Sequence, residues 1–165
     1  MLEQVRSADK LADIVIIAMH WGVEYTLKQT EEQERLAQEL SNAGADIIIG
    51  THPHVIEPVT WIHGKTLCFY SLGNFISAQI DEATHIGMAG GVTITKTVQP
   101  DGSSSTVLSN PRADLFYNSY KEGANGFYDF REIPFTELED ANMQAMYQKY
   151  LPVITSLDST ISIGV

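Results

Sequence analysis

Apolar residues form two short uninterrupted runs in the first third of the chain. The first run follows Asp13 and continues through Met19, and the second follows Asp46. Runs of this length, rich in β-branched residues and without polar alternation, are typical of parallel strands that are covered on both faces. We therefore predict buried parallel strands at 13–19 and 46–50, with the first strand in the centre of its sheet.

The segment between these runs has the pattern of an amphipathic helix. Thr30 and Gln33 have the spacing of a capping box, and Gly44 is suited to end the helix in the left-handed conformation. The apolar positions recur every three or four residues and form one stripe, which consists of Leu36, Ala37, Leu40 and Ala43. The stretch from Asp13 to Gly50 is therefore predicted to be a strand-helix-strand unit.

The pattern changes after the second strand, where alternating residues and turn signals predict antiparallel hairpins. His63 and Gly64 form a turn signal inside the apolar stretch 59–70. A second hairpin is predicted from strands at 91–98 and 105–108.

One more helix is predicted near the end of the chain. Thr136 and Glu139 have the spacing of a cap, which places the helix from Thr136 to about Tyr150 and ends it before Pro152. With 165 residues and 44% hydrophobic content, we expect one domain over 1–165 with a motif-bearing core at 13–98.

Net charge narrows the classes of partner. The formal charge of -11 argues against a nucleic acid as the binding partner, because phosphate backbones are bound by clustered Lys and Arg. An anionic substrate would need a local positive charge, which bound metal ions supply.

Three of the five histidines follow the two predicted parallel strands. His20 comes directly after the first strand, and His52 and His54 lie just past the second. Ligands of open parallel sheets bind beyond the carboxyl ends of the strands, where neighbouring loops converge. Neutral imidazole is a common ligand of zinc, iron and related ions. We therefore predict that His20, His52 and His54 converge on one divalent metal site.

Two further residues are candidates for catalysis at the same mouth. Glu24 is predicted to orient a ligand imidazole or to act on a metal-bound water, with a solvated loop carboxylate as the alternative. Asn74 lies in a Gly-Asn turn after the strand that ends near Tyr70, and the turn would point its side chain toward the histidines. His63 is expected to be solvated in its turn, whereas His85 would reach a substrate from a loop or serve only in packing.

Three motifs in the right order resemble the CapA (PgsA) family of poly-γ-glutamate capsule-synthesis proteins. They are His20-Trp21-Gly22-Val23-Glu24-Tyr25, then Gly44 through Val55 with the sequence GADIIIGTHPHV, then Tyr70-Ser71-Leu72-Gly73-Asn74-Phe75. The family is similar to calcineurin-like metallophosphoesterases, so the resemblance implies an α/β fold with a four-layer α/β/β/α sandwich. By resemblance, His20 matches the single-histidine motif of those enzymes, and His52 and His54 match their terminal Gly-His-x-His motif.

The resemblance also indicates that this chain corresponds to the C-terminal half of such a sandwich. The Gly-Asp and Asn-x-Glu motifs that supply acidic ligands in relatives do not occur before His20. A divalent metal such as Mn, Fe or Zn is therefore expected, as one ion here or as two in a full-length protein. Without those acidic ligands, we expect this chain alone to be inactive. Missing strands would leave the sheet exposed, which favours a homo-oligomer.

The leading functional hypothesis is capsular poly-γ-glutamate synthesis or export with a metallophosphoesterase-like site. The expected partner is an anionic polymer or a phosphoester held through the metal. The expected location is the cell envelope or the exterior, with membrane attachment only through an N-terminal anchor outside this sequence. The alternatives are a metallophosphoesterase of other physiology and a non-catalytic binding or assembly module.

Overall fold

The first sheet contains the predicted parallel unit. The protein is described by a computed structural model over residues 1–164. Strands β1 (Ile16–His20) and β2 (Ile47–Thr51) pair in parallel, and β2 also pairs in parallel with β4 (Thr66–Phe69). Strand β3 (Val59–Ile62) pairs antiparallel with β4, so the strand order is β1-β2-β4-β3. The carboxyl ends of β1, β2 and β4 therefore lie at one edge of this sheet.

The position of β1 corrects one prediction. This strand lies at the edge of the sheet and not at its centre. Ile16 is 54% exposed, because β1 pairs only with β2 among the described residues. The uninterrupted apolar run predicted burial on both faces, but such a run reports hydrophobicity and not the number of neighbouring strands.

Two helices cover one face of the first sheet. Helix α1 (Leu2–Asp9), which the sequence pattern did not predict, packs with α2 (Glu31–Ala43). The capping box of α2 is present as predicted: the Thr30 side chain accepts from the Gln33 N–H, and the Gln33 side chain accepts from the Thr30 N–H. Gly44 ends α2 in the left-handed conformation, as predicted.

The hairpin predictions are confirmed, although the second sheet is larger than predicted. It contains β5 (Ile86–Val98), β6 (Ser104–Gly123) and β7 (Gly126–Pro134) in antiparallel order, and the short β8 (Ser162–Ile163) pairs in parallel with β6. In the first sheet, the turn between β3 and β4 has positive φ at both His63 and Gly64, which is the conformation of a type I′ turn.

Alternation along β2 places the two sheets and the helices in layers. Ile48 packs in the core under α1 and α2. Ile47 points to the other face and joins Met88 and Leu115 of the second sheet in a shared core. The predicted α/β class, a parallel strand-helix-strand unit followed by antiparallel hairpins, is therefore confirmed.

The last helix begins later than predicted. Helix α3 (Ala141–Ile154) is capped by Asp140, whose side chain accepts from the N–H groups of Asn142 and Met143. The predicted cap at Thr136 is wrong, because residues Phe135–Glu137 form a separate 3-10 turn. The predicted end before Pro152 is also wrong. Pro152 lies in the last turn, where it removes one bond to the carbonyl four residues earlier but is followed by only two more helical residues.

Helix α3 packs against β6 and adds Tyr150 and Ile154 to the core between the sheets. Among residues 1–164, no helix has both the length and the apolar character needed to span a membrane.

Replacing Gly44 with Val is expected to destabilise the fold. The φ angle of Gly44 is 108°, and an added Cβ would lie 2.5 Å from Cγ of Asp9 in α1. The expected cost is about 1 to 2 kcal/mol from backbone strain. Thermal unfolding of Gly44→Val should show a lower Tm, and the matched control Gly102→Val, which has the backbone strain without the clash, should show a smaller decrease. Gly102 also has positive φ but faces open space. An unchanged Tm for Gly44→Val would contradict the assigned helix end.

Candidate metal centre

The ends of β1 and β2 bring the predicted histidines together. His20 is the last residue of β1 and is in register with Thr51, the last residue of β2. The ring centroids of His20 and His52 lie 4.6 Å apart, and those of His52 and His54 lie 6.3 Å apart. The three rings therefore lie next to one another in two pairs at the carboxyl edge of the parallel sheet.

Backbone conformation at these histidines is unusual. His52 has φ of 103° and His54 has φ of 62°, and Tyr25 in the facing loop has φ of 64°. Residues other than glycine rarely adopt this region, which costs on the order of 1 kcal/mol or more at each position. Strain of this kind is concentrated at functional sites, where it aims side chains that a relaxed backbone would direct elsewhere.

The loop after β1 is held by hydrogen bonds to residues 52–54, called the histidine loop below, and to the end of β4. The N–H of Tyr25 donates to the Pro53 carbonyl at 2.8 Å, and the Tyr25 ring stacks on His54 with centroids 6.1 Å apart. The indole N–H of Trp21 donates to the Tyr70 carbonyl at 2.8 Å in the buried interior. Trp21 is a structural residue of the site that the histidine pattern alone did not reveal.

Glu24 and Asn74 both lie beside His54, on opposite ring nitrogens. Oε1 of Glu24 is 3.9 Å from Nε2 of His54, and both side chains are partly exposed. Oδ1 of Asn74 is 3.0 Å from Nδ1 of His54. The structure therefore brings both predicted catalytic candidates to the histidine cluster.

The other two histidines are elsewhere. His63 is exposed in its hairpin turn, as predicted. His85 stacks between Tyr117 and Tyr120, and its Nδ1 lies 2.8 Å from the carbonyl oxygen of Asn118. His85 therefore has a packing role, which is the second of the two roles predicted for it.

The donor atoms at the site are of the kinds that divalent metal ions bind, and they are spaced to bind an ion two at a time. Two imidazoles that share an ion through bonds of about 2 Å have ring centres roughly 4.5 to 6.5 Å apart. His20 with His52 meets that spacing, and His54 with Glu24 provides a second pair of donors. Within residues 1–164, no three His, Cys, Asp or Glu side chains are grouped closely enough to hold an ion together. A three-ligand site is therefore not preformed.

A buried carboxyl lies just beyond the histidine loop. Glu57 is fully buried, and one of its oxygens accepts from the Gln33 side-chain amide at 2.6 Å. Its other oxygen has no hydrogen-bond partner. Burial raises the pKa of Glu57 to about 7, and the bond from Gln33 opposes that shift only in part. The sequence pattern gave no signal for this residue.

The raised pKa of Glu57 predicts a pH-dependent stability. Between pH 4.5 and about 7 the folded chain keeps a proton that the unfolded chain releases, so the free energy of unfolding falls as pH rises through this window. The expected loss is on the order of 2 to 3 kcal/mol. Urea unfolding at pH 5 and pH 8 measures it. Glu57→Gln should remove this part of the dependence, and an equal dependence in the variant would contradict the assignment.

These features define an α/β protein with a candidate metal centre at the carboxyl edge of a parallel sheet. Residues 1–79, which include all five candidate site residues, match the family model described as bacterial capsule synthesis protein PGA_cap. The resemblance predicted from the motifs is therefore confirmed over residues 1–79.

Two curated relatives give the same result. The PGA biosynthesis protein CapA of Bacillus subtilis (strain 168) is 49% identical over 78 residues, which are 47% of this chain and 20% of that protein. The capsule biosynthesis protein CapA of Bacillus anthracis is 47% identical over 68 residues, which are 41% of this chain and 16% of that protein. The aligned part of the chain thus spans a fifth or less of these relatives.

Proposed function

We propose that this chain is part of a capsule-biosynthesis protein of the cell envelope, with a metal centre that acts on an anionic polymer or a phosphoester. The match of residues 1–79 to the capsule synthesis family and the names of both relatives support the capsule role. Polymers of the poly-γ-glutamate type carry a carboxylate on each unit, so their recognition requires positive charge.

The observation that carries the metal proposal is the pairwise proximity of His20 to His52 and of His52 to His54 at the ends of adjacent parallel strands. Two of these residues are held in a strained left-handed backbone. The chain has a formal charge of -11, so its own side chains oppose an anionic substrate. Divalent ions at the histidines would reverse the local field where the substrate binds.

The side chains divide into ligands and supporting groups. His20 and His52 would hold one ion, and His54 with Glu24 would hold another. Divalent ions in such sites polarise the scissile group and lower the pKa of bound water. Glu24 is half-exposed at the mouth, where a carboxylate accepts a proton from water or orients a substrate amide. Asn74 supports His54 from the opposite side of the ring.

A second candidate function is a non-catalytic binding or assembly module. It is favoured by the ligand count, because no group of three donors is preformed within residues 1–164 and Glu24 is the one carboxylate beside the histidines. Paired divalent ions are normally held by acidic ligands that offset their mutual repulsion. The two functions differ in turnover, which therefore decides between them.

We expect this chain alone to bind a divalent metal weakly and to show little hydrolysis of a model phosphodiester. Adding the upstream part of a full-length relative, in the same chain or as a separate one, should raise Mn²⁺ affinity and turnover together. His52→Ala should abolish both gains, because it removes a ligand shared by the histidine pairs. The matched variant His63→Ala should leave them unchanged.

Strong manganese-dependent hydrolysis by the isolated chain that survives His52→Ala would contradict both the ligand assignment and the expected half-site. Metal binding without turnover in the extended protein would favour the assembly module.

A further inference from the structure

Asn74 uses its entire side-chain amide in the fold. Its Nδ2 donates to the backbone carbonyl of Thr84 at 3.1 Å and to Oε1 of Gln79 at 2.8 Å. Its Oδ1 lies 3.0 Å from Nδ1 of His54. Both amide hydrogens are therefore committed on one side, and the oxygen is left for the histidine.

The orientation of this amide follows from the chemistry of its partners. A backbone carbonyl only accepts hydrogen bonds, so the atom of Asn74 that faces Thr84 must be the nitrogen. The oxygen of Asn74 then faces His54, and an amide oxygen also only accepts. The proton of the neutral His54 ring must therefore reside on Nδ1. The lone pair remains on Nε2, the nitrogen on the side of Glu24.

We infer that Asn74, locked by Gln79 and the Thr84 carbonyl, is a positioning residue that fixes His54 in the tautomer with its proton on Nδ1 and presents Nε2 to a divalent metal. The inference rests on the proposed metal centre. Ligand histidines commonly donate their second nitrogen to such an acceptor, which fixes both the tautomer and the ring plane. Asn74 thus acts on the metal through His54 and not by contact with substrate.

Gln79 bonds to two side chains that contact the His54 ring, Asn74 and Tyr25. Its side-chain oxygen accepts from Asn74, and its side-chain nitrogen donates to the Tyr25 hydroxyl at 3.3 Å. Tyr25 stacks on His54. The Gln79 backbone carbonyl accepts from the hydroxyl of Tyr120 in β6 at 3.3 Å. The second sheet therefore supports the orientation of a ligand on the first sheet.

His20 has a longer contact of the same kind. The Thr51 hydroxyl donates its single hydrogen to the Met19 carbonyl at 3.0 Å, so it can only accept from Nδ1 of His20, which lies 3.4 Å away. The same proton position at His20 leaves its Nε2 available as a ligand atom. His20 and His54 thus both carry the ring proton on Nδ1, and a different acceptor fixes it in each.

The test is ¹⁵N NMR of histidine-labelled, metal-free protein at alkaline pH, where neutral imidazole tautomers have distinct nitrogen shifts. We expect His54 to carry its proton on Nδ1 in the wild type and to lose that preference in Asn74→Leu. Asn74→Asp keeps an acceptor oxygen but loses both donors, so its preference for the Nδ1 proton should be weaker than in the wild type and stronger than in Asn74→Leu. Zn²⁺ titration should show a loss of affinity of about 10- to 100-fold for Asn74→Leu.

Gln79→Ala provides a second route if Asn74→Leu does not fold. It should weaken the tautomer preference and the Zn²⁺ affinity in the same direction, whereas Gln99→Ala in the remote β5–β6 turn should change neither. A wild-type His54 that is protonated on Nε2, or that is an even mixture, would overturn the inference even if zinc binds. A fixed Nδ1 proton without any zinc binding would overturn the metal centre and leave only the orientation by Asn74.

Discussion

Replacing Gly50 with Ala is expected to be the most destabilising single change in the first sheet. Gly50 lies in β2, one residue before the strand ends at the histidine loop. A Cβ at this position would overlap the carbonyl oxygen of Tyr70 and the indole nitrogen of Trp21. These two atoms form the buried hydrogen bond that fastens the loop after β1 to the end of β4.

The obstruction at Gly50 is backbone and a large ring, so it cannot be relieved by a small side-chain movement. Overpacking costs about 1 to 3 kcal/mol, and breaking a buried hydrogen bond adds about 1 to 3 kcal/mol. Together they predict a loss of roughly 2 to 6 kcal/mol in the free energy of unfolding, measured by urea denaturation. Metal affinity should fall as well, because the loops on both sides of the site would shift.

Gly91→Ala is the matched control for this experiment. Gly91 also lies in a strand, but an added Cβ there would meet only the flexible Arg112 side chain, with a nearest atom at 3.1 Å. Its expected cost is below about 1 kcal/mol. Equal stabilities of Gly50→Ala and wild type would show that the packing of Trp21 and Tyr70 around β2 is wrong.

Removing the central histidine is expected to have the largest effect on metal binding. His52 lies between the other two rings, at 4.6 Å from His20 and 6.3 Å from His54. Four-ligand structural zinc sites bind with roughly 10 to 16 kcal/mol, and a site with only two or three donors binds more weakly. Isothermal titration of His52→Ala with Zn²⁺ should therefore show a loss of the weak wild-type binding.

His63→Ala is matched to His52→Ala in both chemistry and backbone. Both positions have positive φ, at 103° for His52 and 52° for His63, so strain at the substituted residue is present in each variant. His63 lies in an exposed turn at the opposite end of β3 and β4 from the site. Its substitution should leave zinc affinity unchanged, and equal losses in the two variants would indicate non-specific binding.

The strand-helix-strand unit was predictable because its signals are local. Thr30, Gln33 and Gly44 determine the ends of α2 through contacts within a few residues, and the apolar runs mark both strands. The edge position of β1 was not predictable in this way, since it depends on which strands pair with Ile16 and its neighbours.

The second sheet shows the same limit. The sequence indicated a strand at 105–108, but β6 runs from Ser104 to Gly123, and β7 was not predicted. Polar residues such as Asn110 and Asn118 interrupt the alternation of β6, while cross-strand pairing sustains the strand. Long antiparallel strands are stabilised by partners far along the chain, which a local pattern does not record.

The candidate site was predictable in its ligands but not in their support. His20, His52 and His54 follow strand ends, and parallel pairing alone brings them to one edge. The bond from Asn74 to the Thr84 carbonyl and its link through Gln79 join a loop to a segment ten residues away. The positive φ angles at the histidines also depend on tertiary contacts, so no local sequence signal reports them.

The most direct test of the metal centre is anomalous diffraction from crystals of this chain soaked in Zn²⁺, recorded on both sides of the zinc absorption edge. We expect a zinc peak bonded to His52 at about 2.0 to 2.1 Å, with His20 or His54 as a second ligand. Fully occupied peaks only at surface carboxylates or at His63, with none at the ends of β1 and β2, would contradict it.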